Sequence, residues 1–284
     1  MYKTKLCLGC MDSLGIPTEE QIPLFKQIGF EGFFTGWKHD EMADYRRIAD
    51  EEGMIYQSVH APFGGVDKLW KEDREAAQMM VSSLISCAED CSKYEVPIMI
   101  CHVWIGFDTL DVPNSAGVEN FCKVVEAAQR LGVKIAFENT EGEEFLEMLM
   151  SALKDYSNVG FCFDSGHEMC YNHSKDMLKK YGDRLIATHI NDNLGIKRFD
   201  GKTYWLDDLH LLPFDGIGDW EGVAKRIVDC RYDGVLTFEL SKKSKPHRQD
   251  NDKYEKMSAE EYLTEAYARA CRVAALVQKH KGDN

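Results

Sequence analysis

The sequence predicts an α/β fold of the (β/α)₈ barrel type, and three observations support this prediction. Short β-branched or apolar runs alternate along the chain with amphipathic stretches of helical period, as parallel strands joined by crossover helices do. This unit occurs eight times, which is the number that closes a parallel barrel. A glycine follows several predicted helices, where a C-cap before the next strand favours one: Gly29, Gly53, Gly132, Gly182 and Gly234.

The predicted strands, in order, are KLCLGC, GFFTGW, IYQSVH, IMICHVW, KIAFENT, VGFCFD, LIATHIND and VLTFEL. Helices such as EMADYRRIADEEG lie between them. A last helix, over about residues 258–280, presents small and apolar residues at the spacing typical of packing against a barrel wall: Tyr262, Ala266, Ala270, Val273 and Val277. Two long segments, 193–214 and SKKSKPHRQDNDKYEKM, follow strands seven and eight, at the end of the barrel where enzymes carry their functional loops.

Length and composition indicate one domain, over residues 1–284, because 284 residues with 44% hydrophobic content can bury one large core. No apolar run has the length of a signal peptide or of a membrane span, so we expect a cytoplasmic protein. The ten cysteines are scattered through apolar segments, which favours reduced thiols in the core. We assign the single CxxC pair, Cys7 and Cys10, to the core as well, because a structural zinc site needs a second pair.

The charge balance favours a small-molecule substrate. The chain has 48 acidic and 34 basic residues, a net charge of -14, which opposes non-specific binding to nucleic acid. A local basic patch would still be compatible with this total. The sequence is also compatible with a homo-oligomer.

Polar residues end six of the predicted strands, although a buried parallel strand should be apolar nearly throughout. Each could bind a metal ion or move a proton, and together they form a candidate active site at the carboxyl ends of the strands: His60, His102, Glu138, Asp164, His189 and Glu239. A single residue of this kind is more often a hydrogen-bonded structural group. Six at equivalent positions favour a shared site.

Four of these residues are predicted to bind one divalent metal ion. These four residues are Glu138, Asp164, His189 and Glu239. They lie on neighbouring strands, 26, 25 and 50 residues apart along the chain, and the last interval is long because of the loop after strand seven. Two glutamates, an aspartate and a histidine form an oxygen-rich set suited to Mn²⁺, Mg²⁺ or Co²⁺, and Zn²⁺ stays open if imidazoles are added.

Five motifs surround these positions: HAPF (60–63), ENTEG (138–142), DSGHE (164–168), HINDN (189–193) and DLHLLPFDGIGDW (208–220). In this order the chain resembles the xylose-isomerase-like barrel superfamily of sugar isomerases, sugar epimerases, inosose dehydratases and endonuclease IV proteins. The resemblance to the epimerases implies that Glu138 and Glu239 hold the metal and also shuttle protons on opposite sides of a substrate carbon. It implies further that His167 contacts a substrate hydroxyl, with a role behind the metal carboxylates as the alternative.

The leading hypothesis is therefore a metal-dependent sugar or polyol isomerase or epimerase. An inosose-type dehydratase would use the same ion and bases. An abasic-site nuclease with three zinc ions also stays open, because the resemblance to endonuclease IV provides candidates for all nine ligands: His60, His102, Glu138, Asp164, His167, His189, Asp208, His210 and Glu239. A catalytically silent sugar-binding barrel is a weaker alternative, since both glutamates are present.

Two further groups of residues are candidates for substrate binding. Trp37 and Trp104 lie just beyond strands two and four, where their rings could stack on the C–H face of a sugar, or merely close the barrel core. Phe63 and Phe107 are weaker candidates for the same role. The loop after strand eight carries Lys242, Lys243, Lys245 and Arg248, which could dock an anionic substrate group or form an ordinary solvated loop.

Overall fold

The computed structural model describes residues 4–107, 109–197 and 201–282, and in these residues the chain forms the predicted eight-stranded parallel barrel. The strands are β1 (Leu6–Gly9), β2 (Gly32–Gly36), β3 (Ile55–His60), β4 (Ile98–Cys101), β5 (Lys134–Glu138), β6 (Val159–Asp164), β7 (Leu185–His189) and β8 (Leu236–Phe238). Each strand pairs with its neighbour in chain order, and β1 also pairs with β8. A parallel bridge between Ile190 and Phe238, just past β7, closes the barrel.

Helices cover the outside of the barrel. They are α1 (Thr18–Ile28), α2 (Met42–Glu52), α3 (Arg74–Lys93), α4 (Ser115–Arg130), α5 (Glu143–Ala152), α6 (Ser165–Cys170), α7 (Met177–Tyr181), α8 (Trp220–Asp229), α9 (Asp252–Glu255) and α10 (Ala259–Gly282). The predicted last helix is thus confirmed as α10. Short 3₁₀ turns occur at Asp12–Leu14, Val66–Trp70, Gly182–Arg184 and Trp205–Asp207.

Local sequence explains where these helices begin and end, as α4 illustrates. The Asn114 side chain caps its first turn by accepting a hydrogen bond from the Gly117 N–H (3.0 Å). Its buried apolar side chains recur at helical spacing and pack against the sheet: Phe121, Val124, Val125 and Ala128. The chain then leaves the helix at Gly132, which has a φ of +73° that other residues rarely adopt.

Four of the five predicted glycines follow a helix end, and Gly234 does not. Gly29, Gly53 and Gly132 have positive φ values, as expected of C-caps. Gly182 instead has a φ of -65°. Past α8 the left-handed residue is Arg231 (φ +57°), and Gly234 is needed for space, since a Cβ there would lie 2.5 Å from the Tyr232 ring.

The inner face of the barrel determines where the site forms. A small apolar cluster fills the interior beneath the mouth, with one residue from each of four strands: Ile100, Ala136, Cys162 and Ala187. Because side chains alternate along a strand, the residue two positions later points to the same interior. Those residues are His102, Glu138, Asp164 and His189, and the alternation alone therefore gathers them above the cluster.

The cysteines are reduced, as the sequence predicts. All ten cysteines are free thiols; Cys7 lies buried in β1, and burial raises the pKa of both Cys7 and Cys10 well above the usual range. Within the described ranges, no helix combines the length and apolar character that crossing a bilayer requires.

Candidate metal centre and active-site cavity

The four predicted metal ligands meet at the floor of the barrel mouth. Glu138, Asp164, His189 and Glu239 each offer a ligand atom, and these atoms all lie within 4.8 Å of one another. The Nδ1 atom of His189 lies 2.8 Å from Glu138 Oε1 and 3.1 Å from Glu239 Oε2. Glu138, Asp164 and His189 are fully buried, whereas the Glu239 side chain is 25% exposed and opens on the cavity above.

Asp164 is held in place by its neighbours. Its Oδ1 accepts a hydrogen bond from the His167 N–H (2.7 Å) at the start of α6, and its Oδ2 accepts one from Asn191 Nδ2 (2.9 Å). The Asn139 side chain pairs with the Asp164 main chain through two hydrogen bonds of 2.8 Å, which fixes the end of β6 beside the end of β5. The carboxylate orientation is thus set before any ligand binds.

Two imidazoles also reach Glu138 from the side of β3 and β4. His60 Nε2 lies 3.4 Å and His102 Nε2 lies 3.1 Å from Glu138 Oε2. The carbonyl of Ala61 accepts a hydrogen bond from His60 Nδ1 (2.9 Å), so Nε2 is the nitrogen that faces the floor. A third group, His167, Asp208 and His210, lies on the opposite side, with His210 Nε2 2.8 Å from Asp208 Oδ2.

The charges of these groups perturb one another strongly. Burial opposes ionisation of Glu138, but the charge of His189 and the close approach of His102 and His60 hold its pKa well below the ordinary range. Burial also opposes ionisation of Glu239, yet His189 and His210 lower its pKa to about 2. Asp164 differs, because burial and the charge of Glu138 raise its pKa to about 6. Imidazolium protons therefore supply positive charge where a metal ion could supply it instead.

The residues present fit a divalent cation. Their donors are carboxylate oxygens and imidazole nitrogens, which such ions prefer. Glu138 Oε2 is buried without a hydrogen-bond partner, and Asp208 Oδ1 is in the same condition. A buried carboxylate oxygen without a donor is costly unless a cation or another donor satisfies it. Beside Asp208, however, Lys245 Nζ already lies 3.6 Å from Oδ2 and supplies part of the missing charge.

A cavity of about 530 Å³ opens above the floor. Aromatic rings form much of its wall, and polar groups lie between them; the rings are those of Phe63, Phe107, Tyr171 and Trp205. Glu141, Glu239 and Lys245 reach the same space. A second cavity of about 660 Å³, lined by Trp37 and Lys38, adjoins the first and shares His60, Phe63 and Glu239 with it. This mixture of apolar faces and convergent polar groups is typical of a small-molecule site.

Comparison with known proteins identifies the family. The family model described as xylose isomerase-like TIM barrel matches residues 22–266. The chain belongs to this family. A curated relative from Sinorhizobium fredii, the uncharacterized protein y4fM, is 29% identical over 90% of this chain and 88% of its own length.

Solved structures show the same fold at low sequence identity. An IolI structure with a bound zinc atom has a TM-score of 0.75 at 18% identity, covering 97% of this chain and 99% of that one. A D-psicose 3-epimerase from Clostridium cellulolyticum, solved with D-tagatose, has a TM-score of 0.72 at 14% identity, covering 96% and 99%. A xylose isomerase-like/4-hydroxyphenylpyruvate dioxygenase fusion protein matches at 0.69 and 15% identity over 89% of this chain, which spans only 41% of the fusion.

For the two predicted tryptophans, the structure favours a packing role, which was the alternative to sugar stacking. Trp104 is 6% exposed and stacks on Phe145 (centroids 4.8 Å apart), behind the cavity wall, so its ring face is not available to a sugar. Trp37 lines only the adjoining cavity, and its Nε1 donates a hydrogen bond to Asp90 (2.7 Å). The residue after a strand end can turn either inward or outward, and strand spacing alone does not distinguish the two.

The basic loop after β8 also differs from expectation. Of the four basic residues that were candidates for docking an anion, all of them among the described residues, Lys245 alone lines the main cavity. Lys242 Nζ donates a hydrogen bond to the Glu255 carbonyl (3.2 Å), and Arg248 forms ion pairs with Asp207 and Asp250. An anion-docking role therefore rests on Lys245 rather than on the whole group.

Sequence reasoning missed several residues that the cavity contains. They are Glu141, Tyr171, Trp205 and Ile105, and Lys245 was named only as one of a group. Tyr171 follows His167 by four residues, one helical turn later, so the spacing could have indicated it. Glu141 lies in the ENTEG motif, three residues past Glu138. Trp205 carries no such signal, because it belongs to the long loop after β7.

Proposed function

We propose that this chain is a divalent-metal-dependent sugar or polyol isomerase or epimerase. The observation that carries the proposal is the convergence of Glu138, Asp164, His189 and Glu239 within 4.8 Å at the floor of the cavity. Membership of the xylose isomerase-like family supports it. The structural similarity to a D-psicose 3-epimerase and to a zinc-containing IolI also supports it.

The proposed chemistry divides between the floor and the cavity wall. The four floor residues would hold the cation, which supplies a Lewis acid for polarising a substrate carbonyl. Glu239 opens on the cavity, and its lowered pKa of about 2 keeps it ionised at neutral pH, ready to accept a proton from a substrate carbon. Glu138 shares His189 with Glu239 and is the proposed second carboxylate of the pair.

The cavity wall supports a carbohydrate substrate. Flat apolar rings pack well against the C–H face of a sugar, and Phe63, Tyr171 and Trp205 present such rings. His167 Nδ1 lies 3.1 Å from the Asn139 carbonyl, which directs Nε2 towards Asp208 and the cavity, where it can contact a hydroxyl.

Turnover of a ketose and aldose panel in heavy water tests the proposal. A carboxylate that removes a carbon-bound proton can exchange it with solvent, so we expect deuterium at the substrate carbon. The variants Glu138→Gln and Glu239→Gln should each lower the rate by about 10² to 10⁴-fold, with metal content measured in parallel. The exposed Glu144, in the first turn of α5, provides a matched control, and Glu144→Gln should leave the rate unchanged.

Two outcomes would contradict this mechanism. Product without deuterium at carbon would indicate a hydride shift and would reduce both glutamates to metal ligands. A metal-loaded Gln variant with normal turnover would remove that glutamate from the mechanism.

Phosphoester hydrolysis at a multinuclear metal centre is a second candidate, favoured by one observation. Besides the floor set, two further groups could each hold an ion: His60, His102 and Glu138, and His167, Asp208 and His210. Close metal ions can stabilise both the attacking and the leaving oxygen of a phosphoester. About three metal ions per chain with cleavage of abasic DNA would establish this function. We rank it second because Lys245 already supplies part of the positive charge that Asp208 needs, and because the net charge is -14.

A further inference from the structure

Glu141 is a carboxyl group that reaches the cavity but has no part in the metal floor. It is 5% exposed and lines the main cavity together with Glu239. None of the four groups of potential metal ligands in the described ranges includes it. Its position on the loop between β5 and α5 places it above the floor, at the level that a bound substrate would occupy.

The contacts of Glu141 differ from those of the structural carboxylates in this barrel. Glu168, for example, binds Arg226 Nη2 (2.7 Å) and the Met177 N–H (2.8 Å). The Glu141 carboxyl accepts a long hydrogen bond from the Gly106 N–H (3.4 Å) and interacts with its own backbone N–H, but in the part of the chain that the structure describes it forms no ion pair. Buried polar groups usually have hydrogen-bond partners. A buried carboxyl with such weak contacts is therefore suited to bind a polar group of a ligand.

The loop around Glu141 is held firmly even though its carboxyl is not. Gly142 has a φ of +73°, and a Cβ there would lie 2.6 Å from the Trp104 ring. A Cβ on Gly106 would also lie 2.6 Å from Trp104. Both loops that frame the carboxyl therefore pack directly on one buried indole, and Thr140 Oγ1 donates a hydrogen bond to the Glu141 carbonyl (3.2 Å). Such preorganisation is expected of a group that must meet a substrate atom.

The protonation state of Glu141 is compatible with proton transfer. Burial raises its pKa to about 7, so near neutral pH the carboxyl can both give and accept a proton. The carboxyls of Glu138 and Glu239 are ionised under the same conditions.

We propose that Glu141 contacts a substrate oxygen and transfers a proton to and from it, while Glu138 and Glu239 act at carbon. This inference rests on the proposed function. As the carbon base removes its proton, the C–H electron pair forms a C=C bond and the carbonyl pair moves onto oxygen. That oxygen takes the Glu141 proton, and it returns the proton to Glu141 when the carbonyl forms again. No proton or electron is gained or lost overall.

Three variants of the metal-loaded full chain test the inference. Glu141→Gln keeps the size of the side chain but cannot transfer a proton, so we expect kcat to fall by about 10² to 10⁴-fold with a smaller change in KM. Glu141→Ala removes the atoms of one acetic acid molecule. Added acetate should raise the turnover of Glu141→Ala at least tenfold. No such rescue is expected if the role of Glu141 is only structural. The control Glu144→Gln, at an exposed position in the first turn of α5, should behave as the wild type.

The outcomes separate this inference from the function on which it rests. A wild-type protein that neither converts nor exchanges any sugar of the panel overturns the proposed function and this inference with it. A wild type that exchanges deuterium, together with a fully active Glu141→Gln, overturns the inference alone. Loss of activity in both Glu141 variants without rescue by acetate, at normal metal content, would assign Glu141 a structural role and also overturn it.

Discussion

The carboxyl groups of the cavity lie in two different electrostatic environments. Imidazoles surround Glu138 and Glu239, and they hold both pKa values low despite burial. His167 also lowers the pKa values of Asp164 and Glu141, but burial outweighs this effect and raises them to about 6 and about 7. Near neutral pH the same small volume thus contains ionised bases and a carboxyl that can be protonated, which is the combination that acid–base catalysis needs.

Metal affinity should rise with pH because of His189. Burial opposes its protonation, but the charges of Glu239 and Glu138 hold its pKa well above the usual range. At neutral pH its ring is therefore protonated in the metal-free protein, and an entering ion must displace that proton. We expect Mn²⁺ affinity, measured by calorimetry at pH 6, 7 and 8, to increase by up to about tenfold per unit. An affinity that does not change with pH would contradict this assignment.

Glu141 should reduce stability at high pH. Its carboxyl has a folded-state pKa raised from 4.5 to about 7, so its stability contribution is present below pH 4.5 and is lost as pH rises through 7. The shift of roughly 2.5 units corresponds to about 3 kcal/mol. Glu141→Gln should therefore raise the free energy of unfolding by up to about 3 kcal/mol at pH 8 and by less than about 1 kcal/mol at pH 5. Urea unfolding at both pH values measures this; Glu144→Gln should show no such difference.

Strands could be predicted from the sequence because their apolar runs and polar ends repeat with the period of the barrel. The same alternation placed Glu138, Asp164 and His189 on one face, since each follows a small interior residue by two positions. Loop residues do not obey that period. Glu141, Trp205 and the orientation of Lys245 depend on turns and on packing between loops, which no spacing in the sequence encodes.

The loop between β5 and α5 provides a test of the packing role of Trp104. If this ring is packing that supports the loop, Trp104→Ala should lower the free energy of unfolding by about 3–5 kcal/mol, as large-to-small core substitutions do. A ring that only stacked on substrate would change KM and leave stability nearly intact. Urea unfolding beside a KM measurement distinguishes the two, and Trp205→Ala, at a 39% exposed cavity position, provides the contrast.

At the scale of the whole molecule, the metal floor and the barrel core should be separable. The floor residues lie above the interior cluster, so Asp164→Asn should greatly weaken metal binding without unfolding the barrel, and the amide can still cap α6. His189→Gln should behave similarly. Asp176→Asn is a matched control, because Asp176 caps α7 without reaching the floor.

Thermal unfolding with and without Mn²⁺ measures this separation. Ion at 100 times its dissociation constant should stabilise the wild type and Asp176→Asn by about 2.7 kcal/mol and Asp164→Asn by far less. An Asp164→Asn protein with full metal content would refute the ligand assignment.

The crowding of buried carboxyls at the barrel mouth also has an evolutionary consequence. Substitutions that neutralise Glu141 or Asp164 relieve the cost of burying charge. Loss of catalysis here should therefore coincide with a gain in the stability of the fold. A descendant of this chain could then lose its chemistry in a single step and keep both its architecture and its aromatic pocket. Selection for turnover, rather than for folding, is what would preserve these acids in a lineage.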